Sequence, residues 1–444
     1  MDNLRKKLKR VKVITLGCSK NRVDSEHLLR QISGCGFFAE AAEEIADIKG
    51  ADILLINTCG FIHDAKRESV ETILEAVEEK RKGNISKIFV FGCLSQRYLQ
   101  ELKESIPEVD RFFGVFDRES VVSAIGGEWD HSCSHERYIT TPSHYAYLKI
   151  SDGCDRSCSY CSIPLIKGPY TSVPEDQLVK EAEYLVSSEV KELILIAQDT
   201  TCYGRDLKDG KSLVSLVKRL SAIDSLDWIR ILYAYPAGFP SELLNEMAEN
   251  PKICKYLDIP LQHISTRVLT AMRRGVDSAE TRSLVERIRR EVPSIALRTT
   301  MIVGHPGEGR REFRELLNFV KEAQFERLGA FTYSREDGTW GAENLKERIT
   351  KAEKEERYAT LMELQSSISL KYNLTRVGSI EKVLIDKIDG GVLTGRTQKE
   401  APEVDGEVII GGELKKEDFN KLIGNFVPVE ITDADEYDLY SKIV

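Results

Sequence analysis

Three short apolar runs open the chain, at residues 11–16, 53–56 and 88–91. Each is too short for a helix and has the nearly continuous hydrophobicity of a strand buried in a parallel sheet. Between the second and third runs, residues 65–82 set Val70, Ile73, Leu74 and Val77 at helical spacing. Strand, helix, strand at this rhythm predicts an open, doubly wound α/β domain over residues 11–127. Residues 128–143 show little periodicity and read as a linker.

Six further runs follow, at 146–150, 193–196, 228–232, 256–259, 296–303 and 328–333. Helical patterns such as Leu178, Ala182, Leu185 and Val186 separate several of them. Six strands with helices between them predict a partial (β/α) barrel over residues 144–375, rather than the full eightfold one. A charged helix over 350–373 closes this region. The tail, 376–444, changes character: short runs at 380–388, 392–397, 408–410 and 427–432 are punctuated by Gly390, Gly391, Gly406, Gly411 and Gly412. That pattern predicts a small all-β barrel.

Composition narrows the picture. At 444 residues the chain has room for about three domains. A net charge of −9 argues against coating nucleic acid with a broad basic surface, though a local basic groove stays possible. No run of about 18 apolar residues exists, so no membrane partner is expected. The start, MDNLRKKLKRVKV, is basic but lacks the apolar stretch of a secretory signal, and reads as a solvated tail. Ten cysteines without an export signal point to the reducing cytoplasm, where disulfides are rare.

Spacing distinguishes six of the ten. Cys154, Cys158 and Cys161 fall within eight residues just after a strand. A structural zinc site takes four ligands, usually in pairs, and no fourth follows at finger-like spacing. Three thiolates on a four-iron cluster leave one iron open to substrate. The second set is dispersed: Cys18, Cys59 and Cys93 each lie just past one of the three N-terminal strands, in VITLGC, ILLINTC and IFVFGC. Parallel strands present their C-terminal ends along one edge, so these three can meet at a second cluster despite their separation.

The spacing around Cys154, Cys158 and Cys161, with Tyr160 before the last cysteine, resembles the radical S-adenosylmethionine superfamily. The resemblance implies that the open iron binds S-adenosylmethionine and that Tyr160 lies near its adenine. With both cysteine sets and the small barrel, called TRAM, the chain from about Val11 onward resembles the methylthiotransferases, which insert sulfur into an unactivated C–H bond and methylate it. The wording is closest to the RimO branch in LGCSKNRVDSE, NTCGFIHDAKRES, GCLSQRY, LKISDGCDRSCSYCSIP, AQDTTCYG, YAYPAGFP, DIPLQHIS and VGHPGE. Members of that branch modify an aspartate of small-subunit ribosomal protein S-twelve. The resemblance therefore implies two 4Fe–4S clusters, S-adenosylmethionine, a sulfur donor and an electron donor of flavodoxin or ferredoxin type.

Other polar residues at or near strand ends are weaker candidates. Gln198 and Arg298 join Tyr160 as candidate cofactor contacts, and Gln262, His263 and His305 as candidates for the substrate pocket. Each also reads as a capping or packing residue. Two departures from the family pattern stand out. Val173 occupies a position that is commonly cationic, and Gly309, Arg310 and Arg311 replace a Thr-led acidic helix start. The second change is expected to remove an N-terminal cap and set cations at the wrong end of the helix dipole.

From Arg376 to Val444 there are nine Lys or Arg against fifteen Asp or Glu, a net of −6. A barrel holding a phosphate backbone should be basic, whereas an acidic one suits a basic ribosomal protein. Two alternatives stay open: a transfer-RNA adenosine methylthiotransferase, and a non-catalytic iron–sulfur or zinc module that binds RNA.

Overall fold

The computed structural model describes residues 9–411 and 421–444; the basic start at 1–8 and Gly412 lie outside the described residues. The chain forms two compact units. Residues up to Thr141, with Tyr147–Asp155 and Ser162–Leu185, make the first; Pro142–Ala146, Arg156–Cys161 and Val186–Val444 make the second.

In the first unit, β1 (Arg10–Thr15), β2 (Phe38–Ala42), β3 (Ile53–Thr58), β4 (Lys87–Gly92) and β5 (Arg111–Phe112) form a sheet in the order β2-β1-β3-β4-β5. All four ladders are parallel. Alternate strand residues feed two hydrophobic layers. Ile14, Ile56 and Val90 pack with Ile73 and Val77 of the helix His63–Arg81, while Val13, Leu55 and Phe89 pack with Leu28, Leu29 and Ile32 of the helix Ser19–Gly34. The apolar runs did not reveal β2 and β5. The sequence FAEAA turns only Ala39 and Ala42 fully inward, and pairing with β1 at the sheet edge makes it a strand.

The aperiodic stretch at 128–143 is firmly anchored. Arg137 is buried, donating from Nε to Glu26 at 3.0 Å and from Nη1 to Glu181 at 2.9 Å. Glu26 also accepts the Thr140 N–H at 2.7 Å. Polar residues give no hydrophobic period, yet a buried ion cluster can order a segment as well as apolar burial does.

The boundary between the units runs within β6 (Tyr145–Lys149). Next come β7 (Ser151–Asp152) and β8 (Thr171–Ser172), a short antiparallel pair of the first unit. The second unit continues with β9 (Glu192–Ile196), β10 (Trp228–Ile231), β11 (Ile253–Asp258), β12 (Ala296–Val303) and β13 (Arg327–Thr332). With β6 they form a six-stranded sheet in the order β13-β12-β11-β10-β9-β6, and the β9–β13 ladders are parallel. This is the partial barrel of the strand count. The closing helix runs Lys351–Leu374, with Thr350 and Glu353 capping each other's N–H groups at 3.2 and 3.0 Å. At the helix Arg310–Ala323 the N-cap is Gly309, which has no side chain to accept from the first turn, as expected; Glu312 accepts the Gly309 N–H at 2.8 Å.

The tail closes into a five-stranded barrel of β14 (Ile380–Asp389), β15 (Val392–Arg396), β16 (Val408–Gly411), β17 (Phe426–Ala434) and β18 (Leu439–Ile443). Gly390 and Gly391, at φ 53° and 85°, make the two-residue turn between β14 and β15, which needs positive φ at both positions. The last strand, LYSKI, escaped the apolar-run reading because only Leu439 and Ser441 point inward.

The small barrel sits on the N-terminal ends of the β9–β13 strands. Glu192, the first residue of β9, accepts from Arg230 at 2.7 Å and from Arg396 of the barrel at 2.8 Å. Trp228 packs edge-on against Phe426 at 4.7 Å, Arg298 lies 3.5 Å from Asp405, and Arg327 lies 3.2 Å from Glu400. Every sheet residue in these contacts is among the first three of its strand. None of the described helices is long and apolar enough to cross a membrane.

Candidate active site

In the first unit, the strand order reverses between β1 and β3, which opens a crevice beyond their carboxyl ends. Cys18 follows β1, Cys59 follows β3, and Cys93 follows β4. Asn21 braces this edge, donating from Nδ2 to the carbonyls of Leu16 at 2.9 Å and Thr58 at 3.2 Å. Its Oδ1 is 3.7 Å from the Cys93 sulfur. Ser69 holds the Cys59 backbone by accepting its N–H and donating to its carbonyl, both at 3.0 Å.

Burial pushes the Cys93 thiol up to about 12; the Lys167 ammonium pulls against this, and charge on Cys18 and Cys59 adds to it. Burial also raises Cys59, the Phe61 N–H opposes the rise, and Cys18 reinforces it. Cys93, so raised, keeps its proton at neutral pH unless a metal takes the proton's place. Lys167 is held by Asp24 at 3.3 Å and Asp152 at 3.2 Å, and Lys149 and Arg118 also pair with Asp24. Although burial opposes it, these cations hold the Asp24 carboxyl well below the usual carboxylate range.

The second cysteine stretch starts from a forced turn. Gly153 has φ 74°, and a Cβ there would meet the Pro169 carbonyl oxygen at 2.0 Å. Cys154 belongs to the first unit, where its N–H donates to the Gly168 carbonyl at 3.1 Å; Cys158 and Cys161 belong to the second.

Within the second unit, the segments after four strands converge on Arg156–Cys161. After β9, Asp199 pairs with Arg156 at 2.8 Å. After β10, the Tyr235 hydroxyl lies 3.4 Å from the Cys158 sulfur, and the Tyr235 ring is flanked by the guanidinium groups of Arg156 and Arg274, each 4.1 Å from its centroid. Past β11, Arg274 reaches the Cys158 sulfur at 3.5 Å and the Tyr160 hydroxyl at 3.3 Å. After β12, His305 Nε2 lies 3.2 Å from the Ser159 hydroxyl. His305 Nδ1 faces the Pro306 carbonyl at 2.8 Å, so it carries the proton and Nε2 accepts from Ser159. Burial pushes this imidazole down to about 4, so it is neutral at pH 7.

The remaining sequence candidates divide. Gln198 and Gln262, past the ends of β9 and β11, each carry a buried Oε1 without a hydrogen-bond partner. Such acceptors fit the ammonium, amino and hydroxyl donors of S-adenosylmethionine. The Tyr160 ring stands edge-on to His305 at 6.3 Å. His263 and His305 are fully buried; the Ser265 N–H donates to His263 Nδ1 at 2.9 Å, which leaves Nε2 protonated and 3.4 Å from Glu308. Arg298 pairs with Asp258 at 3.0 Å and faces the small barrel, which sets it apart from the strand-end residues. The Val173 N–H donates to the Ile150 carbonyl at 2.9 Å, so its backbone continues the β7–β8 pairing.

Sequence reasoning missed Arg156, Arg274 and Tyr235. Arg156 sits inside the cysteine motif, where its type was a usable signal; the other two acquire meaning only when distant loops meet. Among the described residues, no three His, Cys, Asp or Glu side chains are grouped to hold one metal ion. A four-iron cluster binds each thiolate through a different iron and so accepts a wider spread.

Comparison with known proteins gives three family matches: the uncharacterized protein family UPF0004 over residues 10–114, the radical SAM superfamily over 148–320, and the TRAM domain over 377–444. Proteins named ribosomal protein uS12 methylthiotransferase RimO match almost end to end. That of Cytophaga hutchinsonii is 48% identical over 98% of both chains. That of Bacteroides fragilis is 48% identical over 99% of this chain and 100% of its own, and that of Porphyromonas gingivalis 50% identical over 98% and 99%. Among solved structures, the radical S-adenosylmethionine methyltransferase TsrM from Kitasatospora setae superposes with a TM-score of 0.56 at 14% identity, over 76% of this chain and 77% of its own. The cobalamin-dependent radical enzyme OxsB gives 0.53 at 12% identity, over 82% and 56%. At those identities the likeness is one of fold.

Proposed function

The chain belongs to the RimO family of radical S-adenosylmethionine methylthiotransferases, and from that premise we propose that it adds a methylthio group to the β-carbon of an aspartate in ribosomal protein uS12. The proposal gives it two 4Fe–4S clusters, one on Cys18, Cys59 and Cys93, the other on Cys154, Cys158 and Cys161. Cys154, Cys158 and Cys161 would hold the second cluster, which with S-adenosylmethionine bound would supply the one-electron chemistry for abstracting hydrogen from the substrate. The first cysteine set would hold the incoming sulfur, delivered by a separate sulfur donor.

One observation carries this reading: each cysteine set has its own brace of protein groups. Asn21 and Ser69 brace the first set, and the segments after β9, β10 and β12 gather round Arg156–Cys161. The chain's own residues divide the remaining work. Gln198 and Gln262 offer buried acceptors to the cofactor, Ser159 and His305 fix the cysteine stretch, and Tyr160 presents its ring beside it. The acidic barrel favours a basic protein over a phosphate backbone.

The test is anaerobic reconstitution with iron, sulfide, S-adenosylmethionine and reductant, followed by mass spectrometry of uS12 and of bulk transfer RNA. A methylthio group on a uS12 aspartate, with unmodified transfer RNA, is the expected result. Modification of transfer RNA alone would overturn the substrate assignment.

A further inference from the structure

Among the described residues, most buried arginines are matched by carboxylates. Arg137, Arg230, Arg327, Arg357, Arg376 and Arg396 each pair with Glu or Asp. Arg274 is the exception. It is 4% exposed, and among the described residues no carboxylate pairs with it. Its Nη2 donates to the Pro260 carbonyl at 2.5 Å, its Nη1 reaches Cys158 and Tyr160, its face lies on Tyr235, and its Nε has no partner. A buried cation without a counter-ion is strongly disfavoured. It persists where function supplies the missing negative charge.

We propose that Arg274 is the electrostatic tuner of the cluster on Cys158, supplying the charge that makes that cluster reducible. This rests on the reading of Cys154, Cys158 and Cys161 as cluster ligands. A thiolate-ligated cluster is anionic and gains one further negative charge when a low-potential protein donor passes it one electron; no bond forms or breaks in that step. A guanidinium 3.5 Å from a ligand sulfur stabilises the reduced state more than the oxidised one, and so raises the reduction potential. Tyr235 holds the arginine in place, because its hydroxyl donates to the Arg274 carbonyl at 2.8 Å while its ring carries the guanidinium.

The test uses full-length protein with Cys18, Cys59 and Cys93 changed to alanine, so that one cluster is read alone. Its midpoint potential is followed by electron paramagnetic resonance during reductive titration. In that background, Arg274→Gln should shift the reduction equilibrium on the order of tenfold toward the oxidised form, about 59 mV for one electron. Arg274→Lys, which keeps the charge, should stay near the parent value. A Gln variant that holds iron at the parent potential overturns the inference. If the Gln variant loses its iron, the Lys variant decides: a cluster retained near the parent potential supports the role of charge, and loss in both variants shows a merely structural arginine. Absence of iron from the parent itself would instead overturn the cluster assignment.

Discussion

Gly17 and Cys59 are packed so closely that a Cβ on Gly17 would lie 2.6 Å from the Cys59 Cβ and 2.8 Å from its sulfur. Gly17 also has φ +91°, a conformation L residues rarely adopt. The residue before Cys18 is therefore a spacer that sets how near the first two sulfurs come. Gly17→Ala should keep the fold, at a cost of roughly 1–2 kcal/mol from backbone strain before any displacement of Cys59. Its iron content after reconstitution should fall toward half that of the parent, while thermal unfolding stays cooperative. Unchanged iron would show that the spacing is not needed.

The two cysteine sets should also separate by stoichiometry. With two four-iron clusters the protein should hold about eight irons. Alanine at Cys18, Cys59 and Cys93 together should leave about half, as should alanine at Cys154, Cys158 and Cys161. Iron that does not fall in the first triple variant removes the N-terminal cluster from the scheme.

Chemistry should divide in the same way. Cys59→Ala should still form deoxyadenosine under strong reductant and should give no methylthiolated uS12. Parallel loss of both products, in a protein that still unfolds cooperatively, would mean that the cysteine sets do not act separately.

Acid should loosen the first unit through Glu181. Burial works to raise this carboxyl, but His27 at 3.5 Å and Arg137 at 2.9 Å bring it down to about 2. Because the folded value lies below the unfolded one of about 4.5, its stabilisation is complete above pH 4.5 and is lost as the pH falls towards 2. The contribution is about 3 kcal/mol. Glu181→Gln should be less stable near neutrality, and urea midpoints taken from pH 5 downward should converge on those of the parent. Parallel curves would refute the linkage.

Recognition by the small barrel is better tested by charge than by truncation. Removing the barrel would take away Arg396 and leave the buried Glu192 with one of its two partners, a loss of about 3–5 kcal/mol. Asp405 is likewise unsuitable, since it pairs with Arg298 and accepts the Tyr256 hydroxyl at 2.7 Å. Lysine at the exposed Glu403 and Asp433 should weaken uS12 binding, and the difference should shrink as salt shortens the Debye length below about 10 Å. Stronger transfer-RNA binding with uS12 modification untouched would favour a nucleic-acid substrate.

Much of this protein was legible from one dimension because its signals are local. Apolar runs marked most of the core strands, helical spacing marked His63–Arg81 to within two residues, and Cys154, Cys158 and Cys161 share one short loop. The edge strands β2 and β5 and the last strand β18 were not legible, because their neighbours rather than their own hydrophobicity hold them. Nor did anything in the residues around Arg274 single it out in the sequence. Its carboxylate-free burial beside Cys158, like the closeness of Gly17 to Cys59, arises only when the ends of strands far apart in sequence meet at one edge of a parallel sheet. Backbone pattern and motif spacing are properties of the chain, and they determined the fold class and the cysteine sets. The charge and steric environment of each sulfur depends on residues brought together across long loops, so the tertiary structure alone decided it.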